Sequence, residues 1–209
     1  MQAKPLITVV MPTYLGEYKG AAKNRELKIL RAIQSVRDQS LKEWELIIIA
    51  DGCQKSVDLL KEKEVLNDER ISLYYIKRDK LWGGSPRNAG IQKASSDYII
   101  YLDIDDSYKT TYLEEVVSEI EDGKPWYYVD DIVLGKSGYE KRRANHMVLG
   151  KCGTSNIIHR KDMEVYWPEN GNYAHDFHFI KSLLAKYPRP RRLKTYGYIV
   201  QHIPNIYDV

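Results

Sequence analysis

The sequence has little of several features that mark specialised classes of protein. It contains 2 cysteines in 209 residues, too few for a disulfide framework, and they match no zinc-ligand spacing. No run approaches the roughly 18 consecutive apolar residues that a membrane span needs. The start of the chain does not have the pattern of a signal peptide, and internal repeats are absent. We therefore expect a reduced, cytoplasmic protein.

An excess of charge of one sign is also missing. The chain carries 32 Lys and Arg against 29 Asp and Glu, a formal net charge of +3, so no basic field points to nucleic acid. Phe is rare, with 2 residues, whereas Tyr is abundant, with 17. Rings with a polar end suit a carbohydrate cleft or a subunit interface, and both interpretations remain open.

The first half of the chain is predicted to alternate strands with helices. Apolar, β-branched runs predict strands at 6–11, 45–50, 71–76 and 98–102. Helical spacing predicts helices at 24–39, 55–66 and 85–94, the last with Ser85 as N-cap and Pro86 in its first position. Such alternation predicts parallel strands joined by right-handed crossovers.

The second half has a looser pattern. Helices are expected at 110–120 and 174–187, strands at 126–134 and 195–201, and a loop at 188–194. A basic cluster covers this loop: Lys186, Arg189, Arg191, Arg192 and Lys194. We favour a solvated loop there over contact with an anionic lipid surface, a lipid-linked acceptor or a second subunit.

The polar residues that follow the predicted parallel strands should meet at one edge of the sheet, where ligands of such sheets bind. They are the segments 12–14, 51–52 and 103–106. In an extended chain Asp103 and Asp105 point to the same side, and carboxylates this close repel one another unless a cation lies between them. Oxygen ligands suit Mg²⁺ or Mn²⁺, so a metal site competes here with a solvated acidic turn.

Two reaction classes use such a pair of acids. A phosphatase of the haloacid dehalogenase type would use Asp103 as nucleophile, whereas a sugar-nucleotide transferase would hold a metal on a diphosphate. In phosphatases of this type the strand that leads to the nucleophilic aspartate usually comes first in the chain, but here about 97 residues precede that strand. Such a phosphatase also has no role for Asp51 or for the segment 85–90. The transferase is therefore favoured.

Five segments, in order, resemble the motifs of inverting glycosyltransferases of family two, which have the GT-A fold. They are 9–14, 30–39, 44–52, 84–90 (with Arg87-Asn88-x-Gly90) and 98–106. The resemblance implies an α/β fold with a Rossmann-like, mostly parallel central sheet flanked by helices, and a smaller acceptor-side region. It implies one domain over 1–209, in which 1–106 bind the nucleotide sugar and 107–209 bind the acceptor.

The resemblance also implies an activity. A sugar would pass from a nucleoside diphosphate sugar, with UDP favoured, to a hydroxyl acceptor that is a glycan or is linked to a lipid. Mn²⁺ or Mg²⁺ would serve as cofactor, and a homo-oligomer and a location at the membrane periphery remain open. A non-catalytic module that binds nucleotide or sugar is the alternative from outside the enzymes.

Site residues follow from the same resemblance. Nucleotide binding falls to seven residues: Pro12, Thr13, Tyr14, Asp51, Arg87, Asp103 and Ile104. Metal binding falls to Asp103, Asp105 and His202. Asp176, at the start of a late helix, would be the base that takes the acceptor's proton, or else an acid that caps the helix. Asp106, Asn88 and His175 are further candidates, and His175 stands where the family usually has Glu.

Overall fold

The computed structural model describes residues 4–78, 83–121, 123–135, 137–169, 174–203 and 207–209. Its α-helices are α1 (Arg25–Arg37), α2 (Gln54–Glu62), α3 (Gly84–Lys93), α4 (Tyr112–Glu119) and α5 (His175–Lys186). The strands of the main sheet are β1 (Ile7–Thr13), β2 (Trp44–Asp51), β3 (Ile71–Ile76), β4 (Tyr98–Tyr101), β6 (Trp126–Tyr128), β9 (Ile157–Arg160) and β10 (Arg191–Arg192). Two smaller sheets hold β5 (Ser107–Tyr108), β7 (Asp131–Gly135), β8 (Gly138–Arg142), β11 (Tyr198–Val200), β12 (His202–Ile203) and β13 (Tyr207–Asp208).

The main sheet has the strand order β10-β6-β9-β4-β1-β2-β3. Its strands β4, β1, β2 and β3 are parallel, whereas β9 runs antiparallel between β4 and β6. A mostly parallel central sheet flanked by helices was the expectation, and it is confirmed. In the described residues no helix is both long and apolar enough to cross a bilayer.

The core lies on both faces of the main sheet because successive residues of a strand point to opposite faces. In β1, Val9 and Met11 join one buried cluster and Val10 joins the other. Gly90 lets α3 lie close to the second face, since a Cβ there would stand 2.3 Å from a methyl group of Val10. This close packing fixes the height of Arg87, one turn earlier on the same helix, above the strand ends.

The start of helix α3 and the end of helix α2 differ from prediction. Helix α3 begins at Gly84, not at Ser85, because Gly83 adopts a left-handed φ of 83° and starts the helix earlier. Ser85 is therefore not the N-cap. Helix α2 ends at Glu62, since Glu64 is left-handed with φ 52°, and a separate 3-10 turn covers Val65–Asn67.

The predicted strand at 126–134 is two strands in two different sheets. Strand β6 pairs with β9 and β10, whereas β7 pairs with β8 and β11. The chain changes sheet at two buried acids: Asp130 accepts a bond from the Ala144 N–H, and Asp131 forms a bidentate pair with Arg142. Two carboxylates bonded across strands are incompatible with one continuous apolar strand, and this is why the prediction was wrong.

The segment 188–194 is not wholly a loop. Arg191 and Arg192 form the short strand β10, parallel to β6, and Arg192 contacts the Asp130 carboxylate.

Several of the tyrosines lie in the core, and not in a cleft or an interface. Five of them are fully or almost fully buried: Tyr101, Tyr108, Tyr112, Tyr127 and Tyr198. Their hydroxyls bond inside the fold where they have a partner, for example Tyr108 to the carbonyl of Tyr101.

Candidate active site

The carboxyl ends of four parallel strands form one edge of the main sheet. Strand β1 ends at Thr13 beside Ala50, and β2 ends at Asp51 beside Ile76 of β3. Strand β4 ends at Tyr101 and leads directly into the acidic run. Strand pairing alone therefore brings the segments after β1, β2 and β4 to a common edge, as the sequence predicted.

Arg87 is the buried cation of this edge. It is 6% exposed, and its Nη2 donates to Oδ1 of Asp103 at 2.7 Å. Burial disfavours the charged guanidinium, but the carboxylates of Asp103 and Asp176 outweigh this effect and raise the pKa of Arg87. The guanidinium also lies 4.9 Å from the ring of Trp167. Arg87 therefore faces the protein interior and lies between the two acids, and is not on the exposed side of its helix.

The acidic run after β4 is crowded. Burial and the charge of Asp103 raise the pKa of Asp105. Burial, followed by repulsion from Asp105 and Asp103, raises the pKa of Asp106 well above its usual range. Asp106 is held inside the fold, because its two oxygens accept bonds from the Tyr198 hydroxyl and the Gln201 N–H, both at 2.8 Å. Asp103 and Asp105 are thus the members of the run without such a pair of internal donors.

His202 lies near this run but is engaged by the end of the chain. Its Nδ1 is 3.5 Å from Oδ1 of Asp208, and its Nε2 is 3.2 Å from the carbonyl oxygen of Gly20. In the described part of the chain no three His, Cys, Asp or Glu side chains are close enough together to hold a metal ion. Asp103, Asp105 and His202 are therefore not assembled as a ready three-ligand set, since Arg87 holds the first and Asp208 faces the third.

Asp176 lies in the first turn of α5, and its side chain is 30% exposed. Its Oδ1 accepts a bond from the Thr154 hydroxyl and lies next to Nε2 of His175, both at 3.0 Å. Burial favours the neutral acid, but the His175 contact, the charge of Arg87 and the Thr154 bond outweigh it and lower the pKa of Asp176. The carboxylate is therefore ionised, oriented and partly open to solvent.

The predicted nucleotide residues differ in how available they are. Thr13 is buried and its hydroxyl donates to Ser56 at 3.2 Å, while Ile104 is packed in the core. Pro12 is part of the β1 ladder opposite Ile49. Asp51 ends β2 with a side chain that is largely buried. The side chains of these residues are therefore mostly enclosed by the fold at the sheet edge.

Tyr14 has an unexpected partner. The guanidinium carbon of Arg78 lies 3.3 Å from the centre of the Tyr14 ring, and Nη1 of Arg78 is buried without a hydrogen-bond partner among the described residues. A planar cation on the face of an aromatic ring is a favourable contact. Arg78 thus covers one face of the ring that was expected to contact the nucleotide. No motif indicated this residue.

Hydrogen bonds and ring stacking around Trp167 link α3, β4 and α5 beside the site. The Asn88 side chain accepts from the Trp167 N–H at 2.7 Å and donates to its carbonyl oxygen at 3.0 Å. The Trp167 indole donates to the Tyr101 hydroxyl at 2.8 Å, and its ring stacks on Phe179 of α5 at 4.1 Å. Asn88 is therefore a clamp between α3 and the segment before α5. It acts on the site through Trp167.

Sequence reasoning missed several residues that the structure places in or beside the site: Arg78, Gly153, Thr154 and Trp167. They lie in loops or, for Thr154, at the start of a short 3-10 helix, and each acts by a contact between distant parts of the chain. The glycine-containing segment 150–155 was the one sequence signal for two of them, and it was expected to form a turn beside the acceptor site. Gly153 lies against Asp176, since a Cβ there would be 3.2 Å from Oδ2.

The chain belongs to glycosyl transferase family 2, whose model matches residues 8–187. This membership places Asp103 after the fourth strand of a glycosyltransferase domain and replaces the phosphatase interpretation. Among curated proteins, the chain is 33% identical over 113 residues to a putative teichuronic acid biosynthesis glycosyltransferase, TuaG, of Bacillus subtilis. That match covers 54% of this chain and 40% of the relative, so the chain spans less than half of the relative's length.

Solved structures show the same fold. The crystal structure of S. aureus TarS residues 1–349 in complex with UDP-GlcNAc matches with a TM-score of 0.72 at 18% identity. The match covers 93% of this chain and 58% of that one. A mannosyltransferase, PcManGT, from Pyrobaculum calidifontis in complex with GDP-Man and Mn²⁺ matches with a TM-score of 0.64 at 13% identity. It covers 97% of this chain and 58% of that one. The GT-A fold is therefore established for this chain.

Proposed function

We propose that the chain transfers a sugar, with inversion, from a UDP-sugar to a hydroxyl of a glycan or lipid-linked acceptor. The observation that carries this proposal is the position of Arg87. It binds Asp103 on the donor side, and its charge also acts on Asp176 on the acceptor side. One buried cation thus connects an acid suited to a diphosphate complex with an acid suited to proton abstraction.

Asp176 acts as the base. The acceptor oxygen forms its new bond to the anomeric carbon from the face opposite the diphosphate, the bond from that carbon to the diphosphate oxygen breaks, and the hydroxyl proton passes to the Asp176 carboxylate. A carboxylate that is ionised and held by Thr154 and His175 can accept this proton without rearrangement. Its partial exposure leaves room for an acceptor.

The donor set fits a divalent cation. Asp103 and Asp105 offer hard oxygen ligands, and burial, followed by the charge of Asp103, raises the pKa of Asp105, so a cation beside the two acids would favour their ionised forms. A cation held by these two residues, with His202 as third ligand after a shift away from Asp208, would neutralise the charge of the departing diphosphate. Arg87 adds fixed positive charge at the same place. We propose Mn²⁺ or Mg²⁺, in line with the Mn²⁺ in the PcManGT complex.

The nucleotide is assigned to the pocket above β1 and β2. Asp51 is proposed to accept a hydrogen bond from the uracil N–H, and Tyr14 to contact the base together with Arg78. The UDP-GlcNAc in the TarS complex is a precedent for a uridine nucleotide in this fold. Polysaccharide biosynthesis is the proposed setting, by analogy with the teichuronic acid biosynthesis in the name of TuaG.

A screen of sugar nucleotides with Mn²⁺ present tests this function, with release of free UDP as the readout. We expect one UDP-sugar to support transfer to an acceptor and calorimetry to show that UDP binds more tightly with Mn²⁺ than without it. Asp103→Asn should remove most of the Mn²⁺ effect, whereas the surface variant Asp162→Asn should keep it. Equal UDP affinity with and without Mn²⁺ would refute the metal assignment. UDP binding without transfer from any donor would favour the non-catalytic module.

A further inference from the structure

A loop beside the acceptor side carries exposed apolar residues that the proposed chemistry does not use. Met147, Val148 and Leu149 are consecutive, and 65%, 44% and 55% of their surfaces are exposed. We call them the apolar tip. Single exposed apolar residues are common on proteins, but a contiguous group of large ones marks a contact surface.

The tip is held in this position by its own backbone. The Asn145 N–H donates to the Lys151 carbonyl at 2.8 Å, and the Lys151 N–H donates to the Val148 carbonyl at 3.1 Å. The Asn145 side chain also accepts from the Met147 N–H at 3.1 Å. Because these bonds close the loop, its apolar side chains cannot easily turn inward to a core. The fold therefore fixes them towards solvent.

Basic residues without acidic partners flank the tip. Arg143 and Lys151 stand at its two ends, and Arg189 follows the end of α5. In the described part of the chain none of the three lies within salt-bridge distance of a carboxylate, whereas Arg191 and Arg192 are paired with Glu121 and Asp130. Of the basic cluster noted in the sequence, Arg189 thus remains available for an outside partner.

Ring contacts join the loop to the end of α5. The His146 ring lies 4.5 Å from the ring of Tyr128 and 6.0 Å from that of Trp126. The Trp126 indole donates to the Tyr187 carbonyl at 3.0 Å, and Tyr187 is itself 38% exposed. The loop is therefore linked to the end of α5 through Trp126, and we call the apolar tip, Tyr187 and the three basic residues together the tip face.

The tip face adjoins the base. Residue 151 closes the loop, and Thr154, three positions later, bonds Asp176. We propose that the tip face docks on an anionic lipid surface, with the apolar tip among the acyl chains and the basic residues at the headgroups. Docking there would hold an acceptor anchored in the same membrane within reach of Asp176. This last step depends on the proposed function, whereas lipid binding itself does not.

Flotation of the whole chain with vesicles tests the proposal. Vesicles of phosphatidylcholine with phosphatidylglycerol should bind the protein at low salt, and vesicles of phosphatidylcholine alone should bind it much less. The triple variant M147S/V148S/L149S should bind roughly tenfold more weakly, because it removes the buried apolar contact. The variant R143A/K151A/R189A should lose on the order of a hundredfold, given roughly fivefold for each cation near an anionic surface.

Matched controls lie on other parts of the surface. Leu27→Ser and Tyr75→Ser remove exposed apolar residues from α1 and from the opposite edge strand β3, and Lys61→Ala with Lys63→Ala removes two cations near α2. These variants should bind anionic vesicles like the parent chain. UDP affinity, measured without vesicles, should be unchanged in every variant, so a failure of lipid binding is distinguishable from a failure of the proposed function.

Three results would overturn the proposal. The first is no binding to anionic vesicles at low salt, and the second is binding that both triple variants retain. The third is a dimer in sedimentation velocity that M147S/V148S/L149S dissociates, since the tip would then cover a second copy of the chain.

Discussion

The proposed donor side and the proposed acceptor side of the site are built by different means. On the donor side, Asp51 ends β2 and Asp103 follows β4, and the backbone ladders of these parallel strands set their positions. On the acceptor side the strands have two to five residues, and Asp176 is placed by side-chain contacts with Thr154 and His175. A backbone ladder tolerates many side-chain changes, whereas a side-chain contact depends on each partner.

This difference should be visible in function. Substitutions of Asp176 and its contacts should reduce transfer and leave UDP affinity intact, because Thr154, His175 and Asp176 lie outside the strands that pair with β1 and β2. Arg87 is the exception, since it contacts Asp103 and also acts on Asp176. The comparison therefore predicts two separable classes of variant and one residue that belongs to both.

Asp176→Asn should have the largest effect. Asn keeps the size of the side chain and can still accept the Thr154 bond, but it cannot take a proton. Loss of a general base costs roughly 10²–10⁴-fold, so we expect kcat to fall on the order of a thousandfold while UDP affinity stays the same. Steady-state kinetics and calorimetry with UDP provide the two measurements.

The exposed acid Asp162, which pairs with Arg160, supplies the control for this variant. Asp162→Asn should leave both kcat and UDP affinity at the parent values. If Asp176→Asn keeps most of the parent turnover, Asp176 is an acid that stabilises the start of α5 and another group is the base.

Arg87→Lys should rank second and should affect both sides at once. Lys keeps the charge but lacks the planar fork, so it cannot hold Asp103 in the same geometry while it packs on Trp167. A displacement of the reacting groups by about 1 Å can cost on the order of a hundredfold, and we expect this loss in kcat/KM together with weaker UDP binding.

Arg70→Lys is the matched control, because Arg70 also pairs with an acid, Asp68, but lies at the amino end of β3, away from the carboxyl ends that carry the site. It should leave kcat/KM unchanged. Loss of transfer with full UDP affinity in Arg87→Lys would assign Arg87 to the acceptor side alone and would contradict its role as the connection.

The donor side was largely predictable from the sequence. The apolar runs of β1, β2 and β4 identify buried parallel strands, and parallel strands place Asp51 and Asp103 at one edge whatever their side chains do. The burial of Arg87 was less predictable, since it needs the close packing of Gly90 on Val10. Gly90 can be seen in the sequence, but the close approach of α3 to Val10 that this glycine allows can be seen only in the structure.

The acceptor side could be predicted only in part. The position of Asp176 at a helix start was evident from the sequence, but the Thr154 bond joins residues 22 positions apart in two separate elements. The split of 126–134 into β6 and β7 depends on Asp130 and Asp131, whose partners are Ala144, Arg142 and Arg192. Local periodicity in the sequence carries no information about such distant partners. For the same reason the sequence did not show that several tyrosines are buried in the core, and they were considered as cleft residues.

Gly153→Ala should have a smaller effect on transfer, and it tests how precisely the acceptor side must be positioned. The backbone of Gly153 is extended, with φ −143°, so alanine is not strained there, but its Cβ would be 3.2 Å from Oδ2 of Asp176. Asp176 must then shift by a few tenths of an ångström. We expect a loss of roughly tenfold in kcat, well below the cost of a full 1 Å misplacement, with UDP affinity unchanged.

Gly135→Ala is the control, because a Cβ at Gly135 meets nothing within 4 Å. It should have the turnover and the melting temperature of the parent chain. Parent turnover in Gly153→Ala would mean that the carboxylate of Asp176 does not need its present position.

The smallest effect should be a change in the pH profile on removal of His175. Burial raises the pKa of Asp176, but the contact with His175 is the largest of the effects that outweigh it, so the net pKa is lowered. A lowered pKa keeps the carboxylate ionised to low pH, and kcat/KM attributable to this base should fall only when the pH drops through that value.

In His175→Ala the contact that lowers the pKa of Asp176 is lost, while the effect of burial, which raises this pKa, remains. The acidic limb of the pH profile should therefore move to higher pH, while turnover well above the limb stays close to the parent value. His175→Gln keeps a hydrogen-bond donor to the carboxylate, and its limb should lie between the two. A limb that moves to lower pH in His175→Ala, or that does not move, would show that His175 does not control the ionisation of Asp176, and that the acceptor side is held by Thr154 and Arg87 alone.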